Sequence, residues 1–427
     1  MVKFYDEAQF INILRENIKP AQPIESAHLL QGRASVLRDI ARTLASPGMH
    51  VFVHGERGVG KTSIALTAAR AFTSGTIPYV GCDSNTTIFS LVRDICETLL
   101  DQKLLRRGTD LSGTAGLNTG LFKVEASLKG SPAFQIPHEI GSINQAASLL
   151  EEAVRVRGDQ RIVIIDEMDR ATSPEFHKAF ADLLKRIHDR RIEIRFIMCG
   201  IGKNIDAIIG SHLSASRALA PFEIAHISHD ARWRIVLNAA DELGFSVGKE
   251  HMIRMSQISD GYPYYVHLIA EHLFWEIYDH HECSIESSSA DFQNAVAKAL
   301  ERGEAPLRQA YNFAIQKTTN SSDYEETLWA VAEGTHFERQ IKDIYEKSYL
   351  NIFEQRRWQA PLNEKDNRKP LDIDAFRRRL YSLCSDRHGP ILLRKPNSWY
   401  AFTENVLRGY VRLAAQRHNI QLGADHF

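Results

Sequence analysis

The sequence predicts an α/β fold: a parallel sheet covered by helices, then an all-helical region, then three helices closed by a β-hairpin. Three observations carry this. Short apolar runs alternate with segments of helical periodicity from residue 50 to about residue 200. One strand-to-helix junction is a glycine-rich loop. Past Ser228 the strand-like runs stop, and they return only around a turn at Lys395-Pro396-Asn397. The chain has 427 residues, enough for two or three domains. Hydrophobic content of 44%, charged content of 25% and a net charge of −1 are ordinary for a globular protein, and nothing global points to nucleic acid or membrane. Five cysteines lie far apart with no C-x-x-C pair, so neither a metal site nor a disulfide framework is expected, and reduced thiols suit the cytoplasm. The first residues lack the apolar stretch of a signal peptide, and no run approaches the length of a membrane span.

In chain order, residues 1–24 read as an arm, with prolines at 20 and 23 and little periodicity. Leu29-Leu30-Gln31-Gly32-Arg33 leads into a helix that stops at Ser46-Pro47-Gly48. His50–His54 is a short apolar strand. The run Gly55-Glu56-Arg57-Gly58-Val59-Gly60-Lys61-Thr62-Ser63 follows it, fitting G-x-x-x-x-G-K-[ST] at every fixed position, and a helix to Phe72 comes next. Glycines let such a backbone curl its N–H groups inward around a phosphate, and the positive end of the helix dipole faces the same anion. Lys61 is expected to reach the β- and γ-phosphates and the Thr62 hydroxyl to sit on Mg²⁺. A second strand, Arg161–Ile165, ends in Asp166-Glu167. Asp166 is expected to hold Mg²⁺ directly or through water, and Glu167 to orient and deprotonate an attacking water.

Between these motifs, Ile77–Cys82 reads as a strand and Ile88–Leu99 as its helix. Residues 108–141 are rich in Gly, Ser and Thr. Within them Leu121–Lys129 alternates apolar and polar residues and is expected to pair with Thr114–Thr119 as a hairpin. This insertion is either a solvated decoration or a DNA-contacting loop. Helices over Ile143–Arg157 and Pro174–His188 and a strand over Ile192–Gly200 complete the alternation.

Together these features resemble the AAA+ and STAND-type P-loop ATPases, most closely their initiator-like (origin-recognition-type) and transposition-helper branches, over about residues 25–280. The resemblance implies a P-loop NTPase core at 25–227, a helical lid at 228–318, and ATP with Mg²⁺ as cofactors. It gives Gly32 and Arg33, in an apolar-x-G-R box, a nucleotide-base contact, although a plain helix start explains them too. It gives Arg217, in Ser211–Ile224, the place of an arginine finger reaching a neighbouring subunit's γ-phosphate. A surface arginine near a helix end is the other reading. The lid helices are expected at Asp230–Leu243, His251–Ser259 and Tyr264–Tyr278. Gly261-Tyr262-Pro263 matches a G-x-P signature whose proline packs near the base, where many AAA+ lids carry an arginine. This chain departs from the pattern at the tip of the Ile192–Gly200 strand. Family members carry a polar residue there, whereas here Cys199-Gly200 offers no good polarising group, leaving Lys203 or Asn204 as substitutes.

Beyond the turn formers Thr318–Asp323, helices are expected at Tyr324–Glu333, Glu338–Arg356 and Ile373–Cys384. A hairpin over Pro390–Arg394 and Ser398–Phe402 and a last helix over Val406–Gln416 follow. Three helices and a hairpin describe a winged helix, as initiator-type ATPases carry after the lid, placed at 319–420. Residues 338–417 hold 17 Lys/Arg against 10 Asp/Glu, a basic end suited to double-stranded DNA. Arg377, Arg378 and Arg379 on the third helix and Arg394 and Lys395 on the wing are the expected DNA contacts. A winged helix that binds a protein effector instead, in a defence or signalling module, is the competing reading. A homo-oligomer is implied only if Arg217 acts in trans.

Overall fold

The computed structural model describes residues 6–73, 75–100, 118–119, 122–123, 136–137, 139–158, 161–202, 217–281, 284–315, 321–359 and 369–423. Lys203 and Asn204 lie outside these, as does most of the 108–141 insertion. Within the insertion, Asn118–Thr119 and Phe122–Lys123 pair antiparallel, in the region of the expected hairpin. Two compact units emerge. The sheet unit comprises residues 23–56 and 60–225; the helical unit comprises 1–22, 57–59 and 226–427.

The sheet unit is built on five parallel strands: β1 (His50–Gly55), β2 (Tyr79–Gly81), β5 (Ile162–Asp166), β6 (Arg195–Gly200) and β7 (Leu219–Ile224). The two short insertion strands are β3 and β4. Across the sheet the order is β2-β5-β6-β1-β7. β5 is buried along its whole length, which is why it reads as an unbroken apolar run. Helices α2 (Ala34–Ala45), α3 (Lys61–Arg70), α4 (Ile88–Leu99), α5 (Ile143–Arg157) and α6 (Pro174–Asp189) belong to the same unit. Leu91, Ile95, Leu150, Phe180 and Leu184 from α4, α5 and α6 form one core with Val163, Ile165 and Phe196 of the strands. Helix starts follow local chemistry: Thr87, Ser142 and Ser173 each accept a backbone N–H from the first turn. β6 starts three residues later than expected, at Arg195.

The order matters because β6 lies between β1 and β5. The loop after β1 and the carboxylates after β5 both emerge at the carboxyl edge of the sheet, where open α/β sheets hold ligands.

In the helical unit, α7 (His229–Leu243), α8 (Lys249–Ser259) and α9 (Pro263–Asp279) match the expected lid helices, followed by α10 (Ser289–Arg302) and α11 (Ala305–Ile315). The stretch expected to be an aperiodic arm instead holds α1 (Glu7–Asn17). Asp6 and Gln9 form a reciprocal capping box at its start. Phe10 stacks on Tyr278 at 4.2 Å and meets Trp275 edge-on at 4.7 Å. Further on come α12 (Ser321–Ala332), α13 (Ile341–Asp343), a π-helical stretch (Ile344–Tyr349), α14 (Leu350–Gln359), α15 (Ile373–Leu383) and α16 (Val406–Arg417). The expected helix from Glu338 opens instead on a two-residue strand, β8 (Arg339–Gln340). It joins β9 (Leu392–Lys395) and β10 (Trp399–Phe402) in an antiparallel sheet ordered β8-β10-β9. The turn falls where expected, with Asn397 and Ser398 both at positive φ. Among the described residues no helix is long and apolar enough to cross a membrane.

α16 is tied down by buried charge. Arg408 and Arg412 are 1% and 0% exposed and both meet the Asp260 carboxylate, at 3.3 and 3.0 Å. Both also donate to the carbonyls of Ala332 and Gly334. The basic excess counted over 338–417 therefore includes two arginines that face inward, and the solvent-facing excess is smaller than the sequence suggested.

Candidate functional site

The glycine loop takes the conformation its sequence calls for. Gly58 and Gly60 have φ of 82° and 95°, a region that side chains rarely adopt. Gly60, which has no side chain to cap with, is also the N-cap of α3. A Cβ at Gly60 would meet nothing within 4 Å among the described residues. A glycine-capped helix start offers an anion backbone N–H groups and the positive end of the helix dipole. Lys61 curls over it: its Nζ donates to the carbonyls of Gly55 at 3.1 Å and Glu56 at 2.9 Å. An ammonium resting on its own loop's carbonyls is poised to exchange them for phosphate oxygens.

The two motifs meet although 104 residues separate them. Thr62 Oγ1 donates to Asp166 Oδ2 at 2.6 Å. Asp166 is 5% exposed, and its other oxygen accepts the Glu167 N–H at 2.7 Å. A hydroxyl and a buried carboxylate side by side, next to an anion site, form a fitting donor set for a hard divalent cation with a phosphate ligand. Glu167 takes a left-handed conformation, φ 55°, at the strand tip, and its exposed carboxylate pairs with Arg170 at 3.3 Å. Ser63 Oγ accepts the Ile24 N–H at 3.1 Å, tying the start of the unit to α3.

Residues 29–197 match the AAA ATPase domain. This span contains the loop, Thr62, Asp166 and Glu167. Comparison with curated proteins finds no match to the sequence. Among solved structures, the chain is similar to a Walker-type ATPase of Pyrococcus abyssi, with 14% identity, 92% of this chain and 99% of that one covered, and a TM-score of 0.51. It is also similar to Cdc6p of Pyrobaculum aerophilum (13% identity, 96% and 97% covered, TM-score 0.45). A third is the RuvB Holliday junction branch migration motor of Thermotoga maritima (13% identity, 95% and 100% covered, TM-score 0.42). At 14% identity the first of these speaks to the fold alone.

Around this core, the other expected residues divide. Arg33 is buried, donates to the Ala225 carbonyl at 2.5 Å, and has its pKa lowered by burial to about 10. The guanidinium therefore joins the start of α2 to the end of β7. Arg57 pairs with Glu304 and Glu404 at 3.2 Å, and Val59 is buried, all within the helical unit. Pro263 is the first residue of α9, in the same unit. Arg217 is exposed just before β7. At the β6 tip, burial and the nearby Asp166 charge hold the Cys199 thiol well above its usual pKa, so it stays neutral. A Cβ at Gly200 would sit 3.0 Å from the Phe52 ring, so the tip is closed to larger residues.

Among the expected DNA contacts, Arg378 is exposed and Arg394 lies 4.8 Å over the Tyr381 ring. Arg377 pairs with Asp374 at 2.7 Å and Lys395 with Glu338. Arg379 is turned inward, to Asp323 at 3.1 Å and over the Tyr324 ring.

One residue at the site escaped the sequence reading. Tyr79, at the start of β2, donates its hydroxyl to Asp166 Oδ2 at 2.8 Å. Its only signal was a polar aromatic in a short strand, and the register of β2 on β5 decides what it reaches.

Proposed function

We propose that this protein is an ATP-binding and ATP-hydrolysing AAA+ switch that binds double-stranded DNA through a C-terminal winged helix. The observation that carries the ATP reading is the Thr62–Asp166 hydrogen bond beside the glycine-capped start of α3. Gly55–Ser63 would cradle the phosphates, with Lys61 moving from the loop carbonyls onto the phosphate oxygens. Thr62 and Asp166 would hold Mg²⁺, which neutralises phosphate charge when bound. Glu167 would leave Arg170 to take a proton from water. Gly32, Arg33 and Pro263 would serve the base, and Arg217 would act only in a homo-oligomer.

The DNA reading is supported by three helices and a three-stranded sheet in winged-helix order, with Arg378 on α15 and Arg394 on β9 exposed. A second reading, a winged helix that binds a protein effector, is favoured by the exposed Leu393 and Trp399 of the hairpin and by the inward turn of Arg379.

Equilibrium binding of a fluorescent ATP analogue to wild type and to Lys61→Ala tests the first part. Wild type binds and the variant does not; equal binding would remove Lys61 from the site. Filter binding to duplex DNA at two salt concentrations tests the second. Binding that weakens steeply with salt supports DNA contact; nucleotide-dependent capture of a protein with no DNA binding supports the effector reading.

A further inference from the structure

We propose that Tyr79 is a positioning residue for the magnesium half of the site, holding the Asp166 carboxylate through the same oxygen that accepts the Thr62 hydroxyl. The inference rests on the ATP–magnesium reading above and adds to it a residue outside both motifs.

The argument is one of counting acceptor sites. An ionised carboxylate offers about four lone-pair positions. On Asp166, Oδ2 accepts from Thr62 Oγ1 at 2.6 Å and from the Tyr79 hydroxyl at 2.8 Å, and Oδ1 accepts from the Glu167 N–H at 2.7 Å. Among the described residues three positions are filled, which leaves one on Oδ1. The three donors are unequal. The Glu167 N–H belongs to the next residue and sits at a strained turn. The Thr62 hydroxyl would offer a lone pair to the cation while its O–H points to Oδ2. Tyr79 alone comes from a separate strand, paired to β5 with Tyr79 opposite Ile164 and Gly81 opposite Asp166. It is the donor with no other part in the site.

Packing does not account for the residue. Its neighbours Ile77 and Val80 are buried, whereas the Tyr79 side chain is partly exposed. Groups that hydrogen-bond a metal-holding side chain commonly change metal affinity by about 10- to 100-fold when removed. The partial exposure of Tyr79 places the expected effect at the lower end.

The experiment is a Mg²⁺ titration of fluorescent ATP-analogue binding on the full chain, comparing wild type with Tyr79→Phe. The analogue's affinity in EDTA and the melting temperature are measured alongside. The half-saturating Mg²⁺ concentration should rise about tenfold in Tyr79→Phe, with the affinity in EDTA and the melting temperature unchanged. An unchanged Mg²⁺ requirement overturns the proposal. So does an equal loss of affinity in EDTA, which would make Tyr79 a packing or phosphate residue. Nucleotide binding by wild type that ignores Mg²⁺ would bring down the magnesium reading itself, and this inference with it; that outcome shows in the wild-type arm alone.

Discussion

Replacing Asp260 by Asn removes one negative charge from beneath two buried guanidinium groups and changes almost nothing in shape. The loss can be worked from the structure. Arg408 and Arg412 are all but fully buried, and Asp260 is the carboxylate that meets both, at 3.3 and 3.0 Å. Burial, and then the Arg412 charge, already lower the Arg408 pKa to about 9, with Asp260 opposing the shift. Breaking a buried pair by removing one partner costs about 3–5 kcal/mol, because the charge left behind has no water to turn to. The carbonyls of Ala332, Gly334 and Gln257 still accept from these arginines, which sets the expectation near the bottom of that range, ~3 kcal/mol. Against a typical total of about 5–15 kcal/mol this is a large fraction. Urea unfolding followed by tryptophan fluorescence measures it, since Trp329 is buried in the same unit. Adding Arg408→Met to Asp260→Asn should recover part of the loss, because the orphaned charge goes too. A loss below ~1 kcal/mol, or a double variant that loses the sum of both single changes, would refute the reasoning.

Two further expectations concern chemistry and pH. Glu167→Gln should bind ATP like wild type but release phosphate at least ~100-fold more slowly, the usual contribution of a positioned base; full turnover would remove Glu167 from the reaction. His50 is fully buried, and desolvation, with the charges of His188 and Arg195, lowers its pKa to about 4. The unfolded chain therefore binds the proton more readily between pH 6.5 and 4. This contribution is fully present above pH 6.5 and is lost as pH falls toward 4, by about 3 kcal/mol at most. His267 and His272, also buried and also lowered to about 4, act in the same direction. Urea midpoints that stay flat from pH 7 to pH 4.5 would contradict this.

Much of the site was legible because its chemistry is local. A loop of Gly58, Gly60, Lys61 and Thr62 between a strand and a helix needs no distant partner to be recognised. Asp166 and Glu167 stand where an apolar strand ends. Some misreadings were also of local signals. The Asp6–Gln9 capping box and the spacing of Phe10, Leu14 and Ile18 describe α1 plainly, yet the two prolines drew the segment toward an arm. The basic count over the C-terminal region overstates the solvent-facing charge for a different reason. Sequence assigns charge but not direction, and Arg408, Arg412 and Arg379 find acidic partners inside the unit.

Residue order alone settled the alternation of strands and helices, the glycine loop between strand and helix and the paired acids at a strand end, because periodicity and backbone conformation depend on near neighbours. Tertiary structure decided which groups touch across long stretches of chain: Thr62 and Tyr79 on one oxygen of Asp166, Arg33 on the end of β7, and two arginines of the last helix on Asp260. Those contacts follow from strand order, register and burial, which are properties of the packed whole and are written in no single segment.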